Sequence, residues 1–83
     1  MKENGNFSDR QVQELNKIGA RLKYFRIDRG YNNYEYLAYE LNMSRSQYGT
    51  YENGANITIA TLIRILDHLN VTLAEFFNFD IEY

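Results

Sequence analysis

The spacing of apolar residues in the first third of the chain predicts one long helix. Apolar side chains recur there at steps of three or four positions, which is typical of one helical face. These residues are Val12, Leu15, Ile18, Leu22 and Phe25. Ser8 and Gln11 have the spacing of a capping box, and Gly30 is suited to the position that follows a helix. Together these signals predict a first helix from Asp9 to Arg29.

Four shorter helices are predicted after it, because each later apolar segment follows a side chain that can cap a helix N-terminus. The capping residues are Asn33, Ser44, Thr58 and Thr72. Asparagine tolerates the left-handed backbone that ends a helix. Asn42 and Asn70 are therefore predicted to end the second and fourth helices, and Gly54 to end the third. The apolar face of the fourth helix consists of Ile59, Leu62, Ile63, Leu66 and Leu69.

The pattern changes at the C-terminus, after a last helical turn that is predicted to run through Phe77. Phe79, Ile81 and Tyr83 alternate with polar residues, which is the period of a strand. The chain is therefore predicted to have an all-α fold, a compact five-helix domain. The alternation allows one short C-terminal strand in addition.

Composition narrows the possible chemistry. A chain of 83 residues allows one small domain, predicted over residues 8–77 between a flexible N-terminus (1–7) and a C-terminal tail (78–83). The absence of Cys excludes a disulfide, a zinc–thiolate site and a thiol nucleophile, and the single His68 excludes a multi-histidine metal site. No cofactor is expected. Since no apolar run reaches the ~18 residues that span a bilayer and no signal peptide is present, a soluble cytoplasmic protein without membrane contact is expected.

Charge is distributed unevenly along the chain. The net charge is −2, but residues 1–50 hold eight Lys/Arg against six Asp/Glu, a balance of +2, and residues 51–83 hold one against five, a balance of −4. Lys17, Arg21 and Lys23 lie in the most basic segment. They have two interpretations, a phosphate-binding patch or a solvated helix face, and both stay open at this point.

The segment 33–54 carries the functional signal. Its two helices are joined by only three residues, Asn42, Met43 and Ser44, and so short a connection forces a steep crossing, as in a helix-turn-helix unit. On a helical wheel, one sector of the second helix holds the bulky residues Gln47, Tyr48 and Tyr51. The opposite sector holds Arg45, Ser46, Gly49, Thr50 and Asn53. The first sector is predicted to face the core, and the second to face a partner.

The small and polar sector has the chemistry to read bases in a DNA major groove. Arg45 can donate to O6 and N7 of guanine, Ser46 and Thr50 can form versatile hydrogen bonds, and the Thr50 methyl group can contact thymine. Gly49 has two interpretations, since it either makes room for a tyrosine ring or allows a close approach to DNA. We therefore predict Arg45, Ser46, Gly49 and Thr50 as base-contacting residues.

The run from Leu37 to Gly54 resembles the Xre/Cro family of phage-repressor-like helix-turn-helix domains. It has the family's Leu-Ala pair, an aliphatic-Ser turn and the Glu-Asn-Gly ending. Segment 18–22 looks like the family's first helix, and segment 62–77 like its closing helices. The resemblance implies a transcriptional regulator, most simply a repressor, that inserts helix 44–53 in the major groove of double-stranded DNA. A homodimer, which is predicted from surplus apolar residues at the C-terminus, would place two such helices about one DNA turn apart and read a palindromic site.

The same resemblance implies roles for residues outside the base-reading face. Tyr34 stands where the family's usual Gln contacts a DNA phosphate, and Asn33 and Asn53 are predicted to contact phosphates with it. Arg26 and Glu52 stand where the family forms a structural ion pair between the first helix and the recognition helix. Removing one partner of such a pair is expected to destabilise the domain.

The eight tyrosines allow another interpretation, base stacking on single-stranded nucleic acid. Tyr36, Tyr48 and Tyr51 instead fall on core-facing sectors, and Tyr34 and Tyr39 are predicted to be exposed. A core role is therefore favoured for the first three residues.

An enzyme is not predicted, because the carboxylates form no paired constellation and there is no glycine-rich phosphate loop. The alternative function is the antitoxin half of a toxin–antitoxin pair, a role that the family's fold also serves. The acidic second half and the aromatic tail suit a basic, toxin-like protein partner. Phe79 and Ile81 are also predicted to contribute to the homodimer interface.

Overall fold

The computed structural model describes residues 6–78, and these residues form five helices. Helix α1 spans Asp9–Asp28, α2 Tyr34–Glu40, α3 Arg45–Glu52, α4 Ile59–Leu69 and α5 Leu73–Phe76. The described range contains no strand, so the prediction of an all-α, five-helix fold is confirmed. The predicted C-terminal strand, with Phe79 and Ile81, lies outside the described residues.

The capping residues begin and end the helices as predicted. In each helix the side-chain oxygen of the N-cap accepts a hydrogen bond from the backbone N–H three residues later. These N-caps are Ser8, Asn33, Ser44, Thr58 and Thr72. Asn42 and Asn70 adopt the left-handed conformation, with φ of 58° and 61°. Local sequence therefore determines where the helices stop, and packing determines how they cross.

The core lies between the helices, around the buried side chains of Tyr48 and Phe76. The other buried apolar residues are Leu22, Phe25, Leu37, Ala38, Leu41, Met43, Leu62, Ile65, Leu66, Leu69 and Val71. Since the large core side chain that α3 contributes is a tyrosine, its hydroxyl needs a hydrogen-bond partner inside the protein.

The prediction that Tyr36 faces the core is wrong, because its side chain is 59% exposed. Helix α2 has only seven residues, and it buries Leu37 and Ala38. Tyr36 precedes Leu37 by one position, or about 100° around the helix, and so turns to the edge of the buried face. There its ring centroid lies 6.2 Å from that of Tyr31.

Two arginines, one in α1 and one directly after it, bind the carbonyl groups at the ends of later helices. Arg21 Nε donates to the carbonyl oxygen of Phe76 at 2.8 Å, and its Nη2 donates to that of Asn78 at 3.0 Å. Arg29 Nε donates to the carbonyl oxygen of Leu69 at 3.1 Å. Such contacts satisfy carbonyls that have no partner within their own helix. Arg21 therefore binds the end of α5, and we do not assign it to a phosphate-binding patch with Lys17 and Lys23.

The single histidine joins two helices at the surface. His68 Nε2 lies 2.8 Å from Glu40 Oε1, and the Tyr31 hydroxyl donates to the same oxygen at 2.6 Å. The Tyr31 hydrogen bond, together with His68, holds the pKa of the Glu40 carboxyl below its usual value. This contact links the end of α2 to the last turn of α4.

Candidate nucleic-acid interface

Helices α2 and α3 form the predicted helix-turn-helix unit. Asn42 makes the turn in the left-handed conformation, and the N–H of the buried Met43 donates to the carbonyl of Ala38 at 3.0 Å. The two helices pack directly against each other. The turn therefore fixes the angle at which α3 leaves α2, as a recognition helix requires.

One outward face of α3 is polar. Arg45, Ser46 and Thr50 are exposed there. Gln47, which the helical wheel assigned to the core, is exposed as well, whereas Tyr48 is fully buried behind α3. Its amide lies 3.4 Å from the hydroxyl of Tyr51, which is half-buried.

The inner face of α3 is anchored to α1 by an ion pair. Arg26 Nε donates to Glu52 Oε2 at 2.6 Å and Arg26 Nη2 to Glu52 Oε1 at 3.2 Å, with only 5% and 8% of the two side chains exposed. Arg26 also donates to the Tyr31 carbonyl at 2.7 Å, and the Tyr48 hydroxyl donates to Glu52 at 2.8 Å. The pair implied by the family resemblance is thus present, within a larger buried network.

The pKa of the Tyr48 hydroxyl is raised well above its usual value, because the ring is buried and the Glu52 carboxylate is adjacent. Tyr48 therefore stays a hydrogen-bond donor to Glu52 throughout the neutral pH range. This hydrogen bond supplies the partner that a buried tyrosine hydroxyl needs.

Close contact between α1 and α3 depends on Gly19. A Cβ atom at this position would lie 2.5 Å from the carbonyl oxygen of Glu52 and 2.7 Å from that of Tyr51. Both neighbours are backbone atoms at the end of α3 and cannot move without shifting that helix. Gly19 and the Arg26–Glu52 pair therefore hold α3 at one position on α1.

We expect Gly19→Ala to destabilise the domain by about 2 kcal/mol. Forcing a methyl group into a packed contact costs up to about 3 kcal/mol, and the better helix propensity of Ala returns about 1 kcal/mol. The control is Gly49→Ala in α3, where the nearest atoms, at 3.2–3.4 Å, belong to the Tyr34 side chain. Urea unfolding of the two variants measures the difference, and equal stabilities would contradict the close contact.

Tyr34 packs over the middle of α3. Its ring centroid lies 6.2 Å from that of Tyr48, and the Arg26 guanidinium carbon lies 6.0 Å from the Tyr34 ring centroid. The ring also covers Gly49, which is buried. The glycine therefore makes room for a tyrosine ring, the first of its two interpretations. A base contact by Gly49 stays a prediction, and Arg45, Ser46 and Thr50 are the more exposed members of the predicted set.

A groove of about 580 Å³ lies beside the Tyr34 ring, between α1 and the end of α3. Lys23, Asn32 and Asn53 line it together with Tyr34. The amide of Asn53 donates to the Gly49 carbonyl at 3.0 Å, which fixes its orientation. Asn32 was not predicted as a site residue, because no periodicity marks a loop position, and Lys23 was only one of three open candidates. Asn33 is exposed next to the groove and accepts from the Tyr36 N–H at 2.9 Å as the α2 cap.

Arg45, at the first position of α3, is held by a neighbour. Its Nη1 donates to Glu35 Oε2 at 2.8 Å, although the side chains of Arg45 and Glu35 are 70% and 54% exposed. The Thr50 hydroxyl donates to the Gln47 carbonyl at 2.7 Å. The sequence analysis missed Glu35 as a site residue, because the two partners are ten positions apart and lie in different helices.

Within residues 6–78, no group of three or more His, Cys, Asp or Glu side chains is placed to hold a metal ion. None of the helices in that range combines the length and the apolar character needed to cross a membrane.

Two short helices with a left-handed turn, a buried inner face and a polar outer face define a helix-turn-helix domain. The model of the Helix-turn-helix family of Xre/Cro type matches residues 22–76, and the chain belongs to this family. The family consists of DNA-binding regulators that are generally not enzymes. No curated protein and no solved structure matches the chain significantly.

Proposed function

We propose that the protein is a transcriptional repressor that binds double-stranded DNA sequence-specifically, with α3 in the major groove. The observation that supports this best is the exposed arginine at the start of α3, on a helix whose inner face is anchored to α1. A rigidly held helix can present its outer side chains to base edges at a fixed depth. Repression by occlusion of a promoter is the simplest mechanism for a single small domain.

The proposed base contacts come from three exposed residues of α3. Arg45 donates to O6 and N7 of guanine, because a guanidinium has five donors and only one is used by Glu35. Ser46 forms a hydrogen bond to a neighbouring base. The Thr50 hydroxyl is already bonded to the Gln47 carbonyl, so we assign its methyl group to a thymine.

The proposed phosphate contacts surround the groove beside Tyr34. The Tyr34 hydroxyl and the amides of Asn33 and Asn53 donate to phosphate oxygens, and Lys23 contributes the positive charge. Arg26 adds no net charge there, because Glu52 neutralises it. With so few cations on this surface, we expect a modest dependence of affinity on salt concentration.

Two further features belong to this proposal. The protein acts in the cytoplasm. It binds DNA as a homodimer, in which the two copies of α3 lie about one DNA turn apart and read a palindromic site. The molecular mass of the free and DNA-bound protein in solution tests the dimer. A complex with a single copy of the chain on the selected site would contradict it.

The proposed function predicts that Arg45→Ala weakens binding to the preferred site by about 1–3 kcal/mol, with the loss concentrated at one base position. The site is first selected from a pool of random duplexes, and affinity is then measured by fluorescence anisotropy at several salt concentrations. Lys17→Ala is the control, because Lys17 carries the same charge beside Glu14 on α1. We expect this control to retain the sequence preference.

Selection of no site, with weak binding at low salt, would contradict the proposed function. The helix-turn-helix would then serve as a scaffold for a protein partner, as in the antitoxin alternative. Co-purification with a small basic protein would support that alternative, because residues 51–83 carry a balance of −4.

A further inference from the structure

An exposed ion pair joins the two helices of the helix-turn-helix unit. Glu35 lies in the first turn of α2, and Arg45 is the first residue of α3. Arg45 Nη1 and Glu35 Oε2 are 2.8 Å apart, and more than half of each side chain is exposed. A carboxylate therefore stands beside the residue that we propose as the main reader of a base.

This pair differs from the other ion pair of α3 in what it can do for the fold. Arg26 and Glu52 are almost completely buried, whereas Glu35 and Arg45 are open to solvent. Exposed pairs contribute little to folding stability, because water screens the attraction and the ordering of two long side chains opposes it. We therefore expect Glu35 to influence DNA binding and to have little influence on folding stability.

The charge of Glu35 acts differently on the two kinds of DNA contact open to Arg45. The guanidinium has donors to spare, so Arg45 can keep the Glu35 hydrogen bond while two other N–H groups reach a guanine. A contact between Arg45 and a phosphate instead brings the backbone towards the carboxylate, and like charges repel. Glu35 therefore penalises the contact that carries no sequence information.

We propose that Glu35 is a specificity-determining residue that positions Arg45 for a base and opposes its use on the DNA backbone. This is discrimination by a repulsive element, in addition to the attractive contact of Arg45 itself. The inference rests on the proposed function. It also explains why an acidic side chain lies on this surface, although removal of its charge would raise the affinity for DNA.

The test is Glu35→Gln, which keeps the size of the side chain and an acceptor oxygen but removes the charge. Anisotropy titrations use two labelled duplexes of equal length, the selected site and a random sequence. We expect the affinity for the random duplex to rise about tenfold and the ratio of the two affinities to fall by a similar factor. In the Arg45→Ala background, Glu35→Gln should leave that ratio almost unchanged, because the positioned residue is absent.

The control is Asp67→Asn, which makes the same charge change at an exposed position in the last turn of α4. It should change both affinities little and leave their ratio as in the wild type. Urea unfolding of Glu35→Gln should match the wild type, which separates a binding effect from a loss of structure.

The outcomes separate the two hypotheses. If the wild type selects a site but Glu35→Gln leaves the affinity ratio unchanged, or if Asp67→Asn lowers it equally, the role of Glu35 is overturned and the proposed function stands. If the wild type binds neither duplex, the proposed function is overturned and the role of Glu35 with it.

Discussion

Replacement of Glu52 by alanine is expected to destabilise the domain by about 3–5 kcal/mol. The substitution leaves the buried Arg26 guanidinium without its carboxylate and the buried Tyr48 hydroxyl without its acceptor. A buried charge that loses its partner is far more costly than a neutral replacement of both. The free energy of unfolding of a small domain is roughly 5–15 kcal/mol in total. A substantial fraction of the Glu52→Ala molecules should therefore be unfolded near physiological temperature.

Urea unfolding followed by circular dichroism measures this loss, and a double variant shows its origin. In Arg26→Met with Glu52→Leu, no unpaired charge remains, but the buried Tyr48 hydroxyl still lacks its acceptor. We therefore expect the part of the lost stability that is due to the unpaired charge to return. A single Glu52→Ala variant within about 1 kcal/mol of the wild type would show that water reaches the pair and that burial has little influence on its strength.

The same variant connects the fold to DNA binding. Arg26 and Glu52 hold α1 against the end of α3, and Gly19 allows the close approach between them. Glu52→Ala should therefore lower the apparent affinity for DNA through the population of folded protein rather than through a lost contact. Bound DNA stabilises only the folded state, so an excess of the selected duplex should raise the unfolding midpoint of the variant.

Much of the fold is predictable from the sequence because its signals are local. An N-cap hydroxyl or amide acts on a backbone N–H three residues away, as at Ser44, and a left-handed asparagine acts on its own turn, as at Asn42. Neither depends on the rest of the molecule. The ion pair of Arg26 and Glu52 was predicted by the family resemblance, because no local pattern connects residues so far apart in sequence.

The site is predicted less completely because its details depend on packing between helices. A helical wheel places Gln47 and Tyr48 in one sector, but the structure buries the tyrosine and leaves the glutamine exposed. Gly49 has two meanings in the sequence, and the ring of Tyr34 from another helix decides between them. The Glu35–Arg45 pair likewise requires the crossing of α2 and α3, which the sequence indicates without giving the positions of side chains.

A second large effect is expected at the other end of the domain, where α5 closes the core. Phe76 is fully buried, and its ring centroid lies 6.1 Å from that of Phe25. Its neighbour Phe77 is 37% exposed, although the two ring centroids are only 5.0 Å apart. The carbonyl of Phe76 accepts a hydrogen bond from Arg21, which fixes the short helix on α1. Adjacent residues of the same type thus differ mainly in burial.

We expect Phe76→Ala to destabilise the domain by about 3–5 kcal/mol, because it removes a core aromatic ring and leaves a cavity. Phe77→Ala is the matched control and should cost about 1 kcal/mol, since the ring is partly in water in the folded protein. Thermal unfolding separates the two variants, because each kcal/mol shifts the midpoint by roughly 4–8 °C in a domain of this size. Equal shifts would show that α5 rests on the surface and does not close the core. In either variant, the molecules that remain folded should bind selected and random DNA with the wild-type ratio of affinities, because the proposed base contacts all lie on α3.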